Sequence, residues 1–433
     1  MTKEKYIASC DSNHKLKGFL AFILPQTANM FTQLLYWLRV SFFNLLLVAC
    51  IGLILRYKIT FSLPFIDQKH LLHAHSHFAF SGWISQALMA FMIDYASRQK
   101  KVDLFPKYSW LLYMNLFTAY GMLLSFPFQG YGLFSISFST LSILNGWVFA
   151  ILFWKELNSI AKKTIVNNWF KAALLFNAIS SLGAFSLAAL MANQIIHQNW
   201  YLLSIYFFLH FQYNGWFFFA CIGLFLEKVL TAMPYIKKQQ QVFWLFAGCC
   251  APAYFLSALW LPMPSWVYFF IVLSSILQMY AWILLLKQIL PKKKGLVTQY
   301  SSLAYWILLF SGIALTVKLL LQAVSTIPLL SNLAFGFRPI VIAYLHLILL
   351  GVITLFLISN FLSLKIIQVT KLILAGIGLF VFGIIFNEFL LMVQGISAIL
   401  EQSIGFINEL LLFAAAILFT GMLLLNLGIK KIT

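Results

Sequence analysis

The chain has 433 residues, of which 62% are hydrophobic and only 9% are charged. Soluble domains carry roughly 25% charged residues, so this composition excludes an ordinary soluble protein. The formal net charge of +19 does not indicate a nucleic-acid partner, because Lys and Arg lie in short segments between apolar runs and not on one basic face.

The apolar stretches predict an all-α integral membrane protein embedded in the lipid bilayer. About 20 apolar residues in a helix cross the hydrocarbon core, and a helix pairs its own backbone polar groups. We expect residues 1–33 to be a cytoplasmic segment with an interfacial helix, and residues 34–433 to be one membrane domain. The twelve predicted spans are 34–56, 71–94, 109–126, 132–154, 169–191, 201–226, 242–260, 265–286, 302–323, 339–361, 370–393 and 406–428.

The distribution of basic residues predicts the orientation of these spans. Lys and Arg cluster at the N-terminus, in every second loop and at the C-terminus, whereas the loops 127–131, 192–200 and 261–264 are nearly uncharged. Basic loops stay in the cytoplasm. We therefore expect both termini in the cytoplasm, in a bacterial inner membrane, with helices 2, 6 and 10 entering from the outer side.

Three histidines are predicted to share one depth in the membrane. At a rise of 1.5 Å per residue, His77, His210 and His346 each lie roughly 10–15 Å inside the outer boundary. Ionisable residues inside a membrane usually face the bundle interior and indicate function. A single such histidine often only joins two helices by hydrogen bonding, but three at one level favour a bound haem or metal, since neutral imidazole is a good ligand for iron and copper.

The histidines also belong to an internal repeat. Residues 77–83 read His-Phe-Ala-Phe-Ser-Gly-Trp, and residues 210–216 read His-Phe-Gln-Tyr-Asn-Gly-Trp. Helix 10 keeps a shorter version, with Gly351 five residues after His346. Matches on every fourth helix predict three four-helix arcs in a pseudo-threefold arrangement, at about 34–154, 169–286 and 302–428.

Helix 2 offers more than one candidate ligand. His73 and His77 are separated by four residues and share one helix face, so either could be the ligand. His75 points elsewhere and is the weaker candidate.

This arrangement resembles subunit I of the haem–copper oxidase superfamily. Segments 73–83, 210–217 and 344–351 are similar to its helices 2, 6 and 10, and the topology covers nearly the whole chain. The resemblance implies haem b held by His77 (or His73) and His346, and a copper ion near His210, with metal-binding roles for all three histidines. It also implies a redox partner protein or quinol.

Two departures from the family bear on activity. Tyr344 stands where the family has the histidine for the high-spin haem iron, and predicted helix 7 contains no histidine for copper. We therefore do not expect a full proton-pumping oxidase. With its incomplete set of histidine ligands, the chain is similar in architecture to the NnrS group of nitric-oxide-linked membrane proteins. This similarity implies electron transfer or small-gas metabolism by an oxidoreductase of the oxidase type.

Other polar residues are candidates for supporting roles. Arg338 at the mouth of helix 10 is a candidate partner for haem propionates, although an interfacial Arg is common there. Glu388 and Lys318 are candidates for a proton path or for a structural Lys–Glu pair. Candidates to orient a ligand or relay protons are Tyr344, Gln212, Asn214, Glu388 and Lys318.

A second hypothesis is a multi-pass transporter without a redox cofactor. Its histidines would bind or relay protons or a divalent metal between repeated units.

Overall fold

The structure, a computed structural model, describes residues 4–233, 237–330, 337–364 and 367–429, with side chains from Asn29 onward. Within those ranges the regular elements are helical and there is no strand. We number the long helices in chain order: α1 (Glu4–Thr60), α2 (Gln68–Phe78, Ala79–Ser85 and Gln86–Lys100), α3 (Phe105–Gln129), α4 (Leu133–Ser159), α5 (Ile165–Ala192), α6 (Gln198–His210, Phe211–Phe217 and Phe218–Ala232), α7 (Gln239–Cys250 and Pro252–Ala258), α8 (Ser265–Ile289), α9 (Ser302–Val324), α10 (Arg338–His346, Leu347–Thr354 and Leu355–Leu362), α11 (Lys371–Ile399) and α12 (Ile407–Ile429).

Ten helices in the described part of the chain are long and apolar enough to cross a membrane, or eleven if the bent helix α7 counts as one span. The protein is therefore an integral membrane protein of the all-α class. Large apolar side chains such as Phe117, Leu124 and Phe413 stay exposed on the outside of the bundle. Surfaces of this kind suit lipid and not water.

Among the long helices of the described ranges, α2 is less apolar than the candidate spans and is not one of them. Every residue from Gln86 to Ser97 is buried, including Asp94. Because neighbouring helices and not lipid surround this stretch, its polar side chains find partners inside the protein. Composition alone therefore underestimates how deeply α2 is enclosed.

The ends of two helices follow from local sequence. Asp67 caps α2, and its Oδ1 accepts a hydrogen bond from the backbone N–H of His70 at 2.8 Å. This bond lowers the pKa of Asp67, which lies outside the spans. Helix α7 bends by 44° between Cys250 and Pro252, because proline cannot continue the hydrogen-bond ladder.

The N-terminal helix is longer than expected. Helix α1 runs without a break from Glu4 to Thr60, whereas the sequence suggested a separate interfacial helix before residue 34. The apolar span within it covers Asn29–Thr60. Where this helix meets the membrane surface stays a prediction.

Ion pairs join helix ends on one side of the bundle. The Glu156 carboxylate, with its side chain 2% exposed, contacts Lys100 Nζ and lies 2.5 Å from Lys107 Nζ. The Tyr108 hydroxyl donates to the same carboxylate at 3.0 Å. These contacts fix the end of α4 against α2 and α3.

We expect Glu156→Gln to lower the unfolding temperature of the detergent-purified protein. The change leaves two lysines without their counter-charge, but both are partly exposed, so the loss is about 1–2 kcal/mol. The exposed Glu401 gives a matched control, and Glu401→Gln should leave the melting curve unchanged. Equal melting curves for Glu156→Gln and the wild type would show that the pairs contribute nothing to stability.

Candidate haem site and central cavity

Each of the three repeated histidines is followed by a stretch of π-helix. The π-helical segments are Ala79–Ser85, Phe211–Phe217 and Leu347–Thr354. They begin one or two residues after His77, His210 and His346. Single π turns within α-helices are rare and occur frequently at functional sites, so the repeated motif coincides with a repeated distortion of the backbone.

Side chains from neighbouring helices bond the carbonyl groups of these π turns. Asn44 Nδ2 donates to the Gly82 carbonyl at 2.6 Å, and Asn115 Nδ2 donates to the Ser81 carbonyl at 2.9 Å. On α10, the Ser311 hydroxyl donates to the Val352 carbonyl at 2.7 Å. A widened helical turn frees carbonyl groups that must be bonded elsewhere in a dry interior, and these donors supply that bond.

The three π turns also contact one another in a ring. Trp83 Nε1 donates to Thr354 Oγ1 at 3.0 Å, which joins α2 to α10. Trp216 Nε1 donates to Ser85 Oγ at 3.0 Å, which joins α6 to α2. In both bonds the donor is the tryptophan six residues after the repeated histidine of its own helix. The acceptor is the residue eight positions after the repeated histidine of the partner helix.

The π turns of α6 and α10 also approach each other. The residues at the equivalent positions are Val352 on α10 and Phe218 on α6, which line one cavity and cannot form the corresponding side-chain hydrogen bond. The two hydrogen bonds and this approach connect the three repeated segments.

The histidines of α2 point to two different sides. The His77 ring stacks on Phe126 with centroids 4.6 Å apart, and its Nε2 lies 3.5 Å from the Tyr131 hydroxyl. His73 packs edge-on against Tyr131 at 4.6 Å. Both candidate ligands therefore face the end of α3 and the turn that follows it.

His75 faces the opposite way, toward α1. A Cβ at Gly52 of α1 would lie 3.3 Å from Cε1 of His75, so the glycine leaves room for the ring. The His75 ring forms a hydrogen bond with the backbone of Val48, and it interacts electrostatically with His346. Nδ1 of His75 is buried and has no hydrogen-bond partner.

His346 is oriented by its own helix. Its Nδ1–H donates to the carbonyl oxygen of Ile342 at 2.9 Å. This bond fixes the tautomer with the proton on Nδ1, so the lone pair lies on Nε2. A histidine held in this way is prepared to act as a ligand.

Charged residues lie near the same space. The guanidinium of Arg56 on α1 interacts electrostatically with His346, with Arg338 and with Glu388. The amide of Asn387 donates to Glu388 Oε1 at 3.2 Å. Sequence reasoning missed Arg56 and ranked His75 low, although an arginine within an apolar span was a usable signal.

Helices α1, α2 and α10 carry side chains of the kinds that hold a haem. His75 has a buried ring nitrogen without a partner, His346 keeps a lone pair on Nε2, and the two rings interact electrostatically. Arg56 and Arg338 interact electrostatically with each other, and arginine is a residue type that pairs with carboxylates such as propionates. The structure thus groups His346 and Arg338 with His75, and separates them from His73 and His77.

The surroundings of His210 do not fit a metal ion. Its Nε2–H donates to the Cys250 carbonyl at 2.8 Å, and its Nδ1 accepts from Asn214 Nδ2 at 3.1 Å. Both ring nitrogens are therefore used in hydrogen bonds within the protein. No cluster of three His, Cys, Asp or Glu side chains able to hold a metal ion occurs in the part of the chain that the structure describes.

The remaining candidate residues have structural partners. Gln212 Nε2 donates to Asn177 Oδ1 at 2.9 Å and to Ser180 Oγ at 2.8 Å. Tyr344 lies near Tyr213. Lys318 Nζ donates to Gln322 Oε1 at 2.6 Å, so the predicted Lys–Glu pair is not formed among the described residues.

A central cavity lies between α6, α7, α8 and α9. It admits little more than one water-sized sphere. Its polar lining consists of Asn214, Cys250, Gln278 and Lys318. The cavity adjoins the π turns of α6 and α10.

No family model matches the chain, and no curated protein is significantly similar to it in sequence.

Proposed function

We propose that the protein is a haem-binding, oxidase-like membrane protein that transfers electrons or acts on a small gas such as nitric oxide. The observation that carries this proposal is the pair His75 and His346, which interact electrostatically and each keep one ring nitrogen without a hydrogen bond, while Arg56 interacts with His346. Haem b is the group we propose, and a redox partner protein or a quinol would exchange electrons with it.

Within this proposal the protein's own residues bind and orient the group. His346 and His75 would hold the haem iron, and the Ile342 carbonyl holds the His346 ring in position. Arg56 and Arg338 would bind the propionates. A haem there would supply one-electron transfer.

The proposal does not extend to copper or to reduction of oxygen to water. His210 uses both ring nitrogens for hydrogen bonds, and Tyr344 stands at the position that the resemblance assigns to a haem ligand. The predicted copper ion near His210 has no support from the geometry, and we do not propose it.

We also propose twelve spans in three four-helix arcs related by pseudo-threefold symmetry. Helix α2 is long enough to span, at about 1.5 Å per residue over residues 68–100, and its enclosure by other helices accounts for its polar composition. The equivalent contacts between the three π turns support the symmetry. With twelve spans, the alternating basic loops imply that both termini lie in the cytoplasm, in a bacterial inner membrane.

Haem content after purification tests the function. Protein expressed in cells supplied with haem precursors and purified in detergent should show a Soret band, and a sharp b-type α-band on reduction with dithionite. Haem extraction should give one haem per chain. Purified, monodisperse protein without haem would overturn the proposal and favour the transporter hypothesis.

A further inference from the structure

The central cavity contains a buried cation without a carboxylate partner. The Lys318 residue is only 6% exposed, and in the described ranges no Asp or Glu lies within ion-pairing distance of its ammonium group. An unpaired charge away from water is costly. A neutralising group in the adjoining space would remove that cost.

The cavity wall is rich in hydrogen-bond donors. An ammonium group has three N–H donors, and the Lys318 ammonium uses one of them on Gln322. The amide of Asn214 uses one of its two N–H donors on His210, and that of Gln278 uses one on the Cys249 carbonyl at 3.4 Å. Each amide therefore retains a donor.

The rest of the lining is apolar. The rings of Phe218, Phe219 and Phe246 and the side chain of Leu319 complete the wall. Because the space admits little more than a water-sized sphere, the ligand has to be compact. A cation or a divalent metal would meet Lys318 and donors, which would repel it.

We propose that this cavity binds a small monovalent anion between the ammonium group of Lys318 and the amides of Asn214 and Gln278. The proposal does not rest on the haem, because His75 and His346 are not among the residues that line the cavity.

Fluoride and chloride are suitable probes, and gluconate is a reference anion too large for the cavity. At constant ionic strength, replacing sodium gluconate by sodium fluoride or sodium chloride should raise the unfolding temperature of the purified protein in a saturable way. Lys318→Gln should weaken the apparent affinity roughly tenfold or more, since a charge-assisted hydrogen bond is lost. Lys318→Arg keeps the cation and should retain more of the response than Lys318→Gln.

The control is Lys287→Gln on α8, because Lys287 is exposed; this variant should respond like the wild type. No difference between the small anions and gluconate in the wild type would overturn the proposal, even if the Lys318 variants fail to fold. An equal response in folded Lys318→Gln would also overturn it. Anion binding is measured by the unfolding temperature, and haem binding is measured by absorbance. The failure of one proposal therefore does not decide the other.

Discussion

Replacing His75 by Ala should remove haem from the protein as completely as replacing His346 by Ala. In the structure these two rings interact electrostatically, and within the proposal each would hold the haem iron. Loss of partners outside the ligand set already weakens metal binding roughly 10–100-fold, so loss of a ligand should cost at least as much. The measurement is haem content per chain together with the reduced α-band.

His77→Ala and His73→Ala are matched controls on the same helix. Their rings pack against Phe126 and Tyr131 and not toward α10, so both variants should keep a wild-type spectrum. Haem loss in His77→Ala combined with a normal spectrum in His75→Ala would contradict the geometry. That result would favour the ligand pair expected from the resemblance.

Replacing Gly376 by Leu should prevent α11 and α12 from packing. A Cβ at Gly376 would lie 2.6 Å from the backbone nitrogen of Leu425 and 2.8 Å from the carbonyl oxygen of Gly421. Both are backbone atoms, which cannot rotate away as a flexible side chain can. Small residues allow close approach of helices in membranes, and overpacking costs typically 1–3 kcal/mol or more. We expect a large loss of monodisperse protein in size-exclusion chromatography.

Gly378 lies on the same helix and provides the control. A Cβ there meets no atom within 4 Å, so Gly378→Leu should give a wild-type elution profile. If Gly376→Leu and Gly378→Leu behave alike, the close approach of α11 and α12 is not required for folding.

The helical membrane class could be predicted from composition, because ten or eleven apolar helices leave a strong signal. The repeat at His77, His210 and His346 was visible as well, and each copy coincides with a π turn. The π turns themselves were not predicted. They depend on donors such as Asn44 and Ser311, which come from other helices.

The rotation of α2 about its own axis could not be predicted from its sequence. The spacing of the histidines places His73 and His77 on one face of α2 and His75 on another. Only the packing of α2 against its neighbours decides which face meets α1. Gly52 and Val48 of α1 contact His75, and these contacts join distant parts of the chain. Likewise, the bonding of both ring nitrogens of His210 depends on the Cys250 carbonyl and on Asn214.

The identity of the side chains that would hold the proposed haem is the most direct test of the proposed function. Near-infrared magnetic circular dichroism of the oxidised, purified protein distinguishes two imidazole ligands from other ligand pairs. We predict the bis-imidazole charge-transfer band in the wild type and its loss in His75→Ala and His346→Ala. A haem-free protein, or a haem whose band shows a single histidine ligand, would contradict the proposed His75–His346 site.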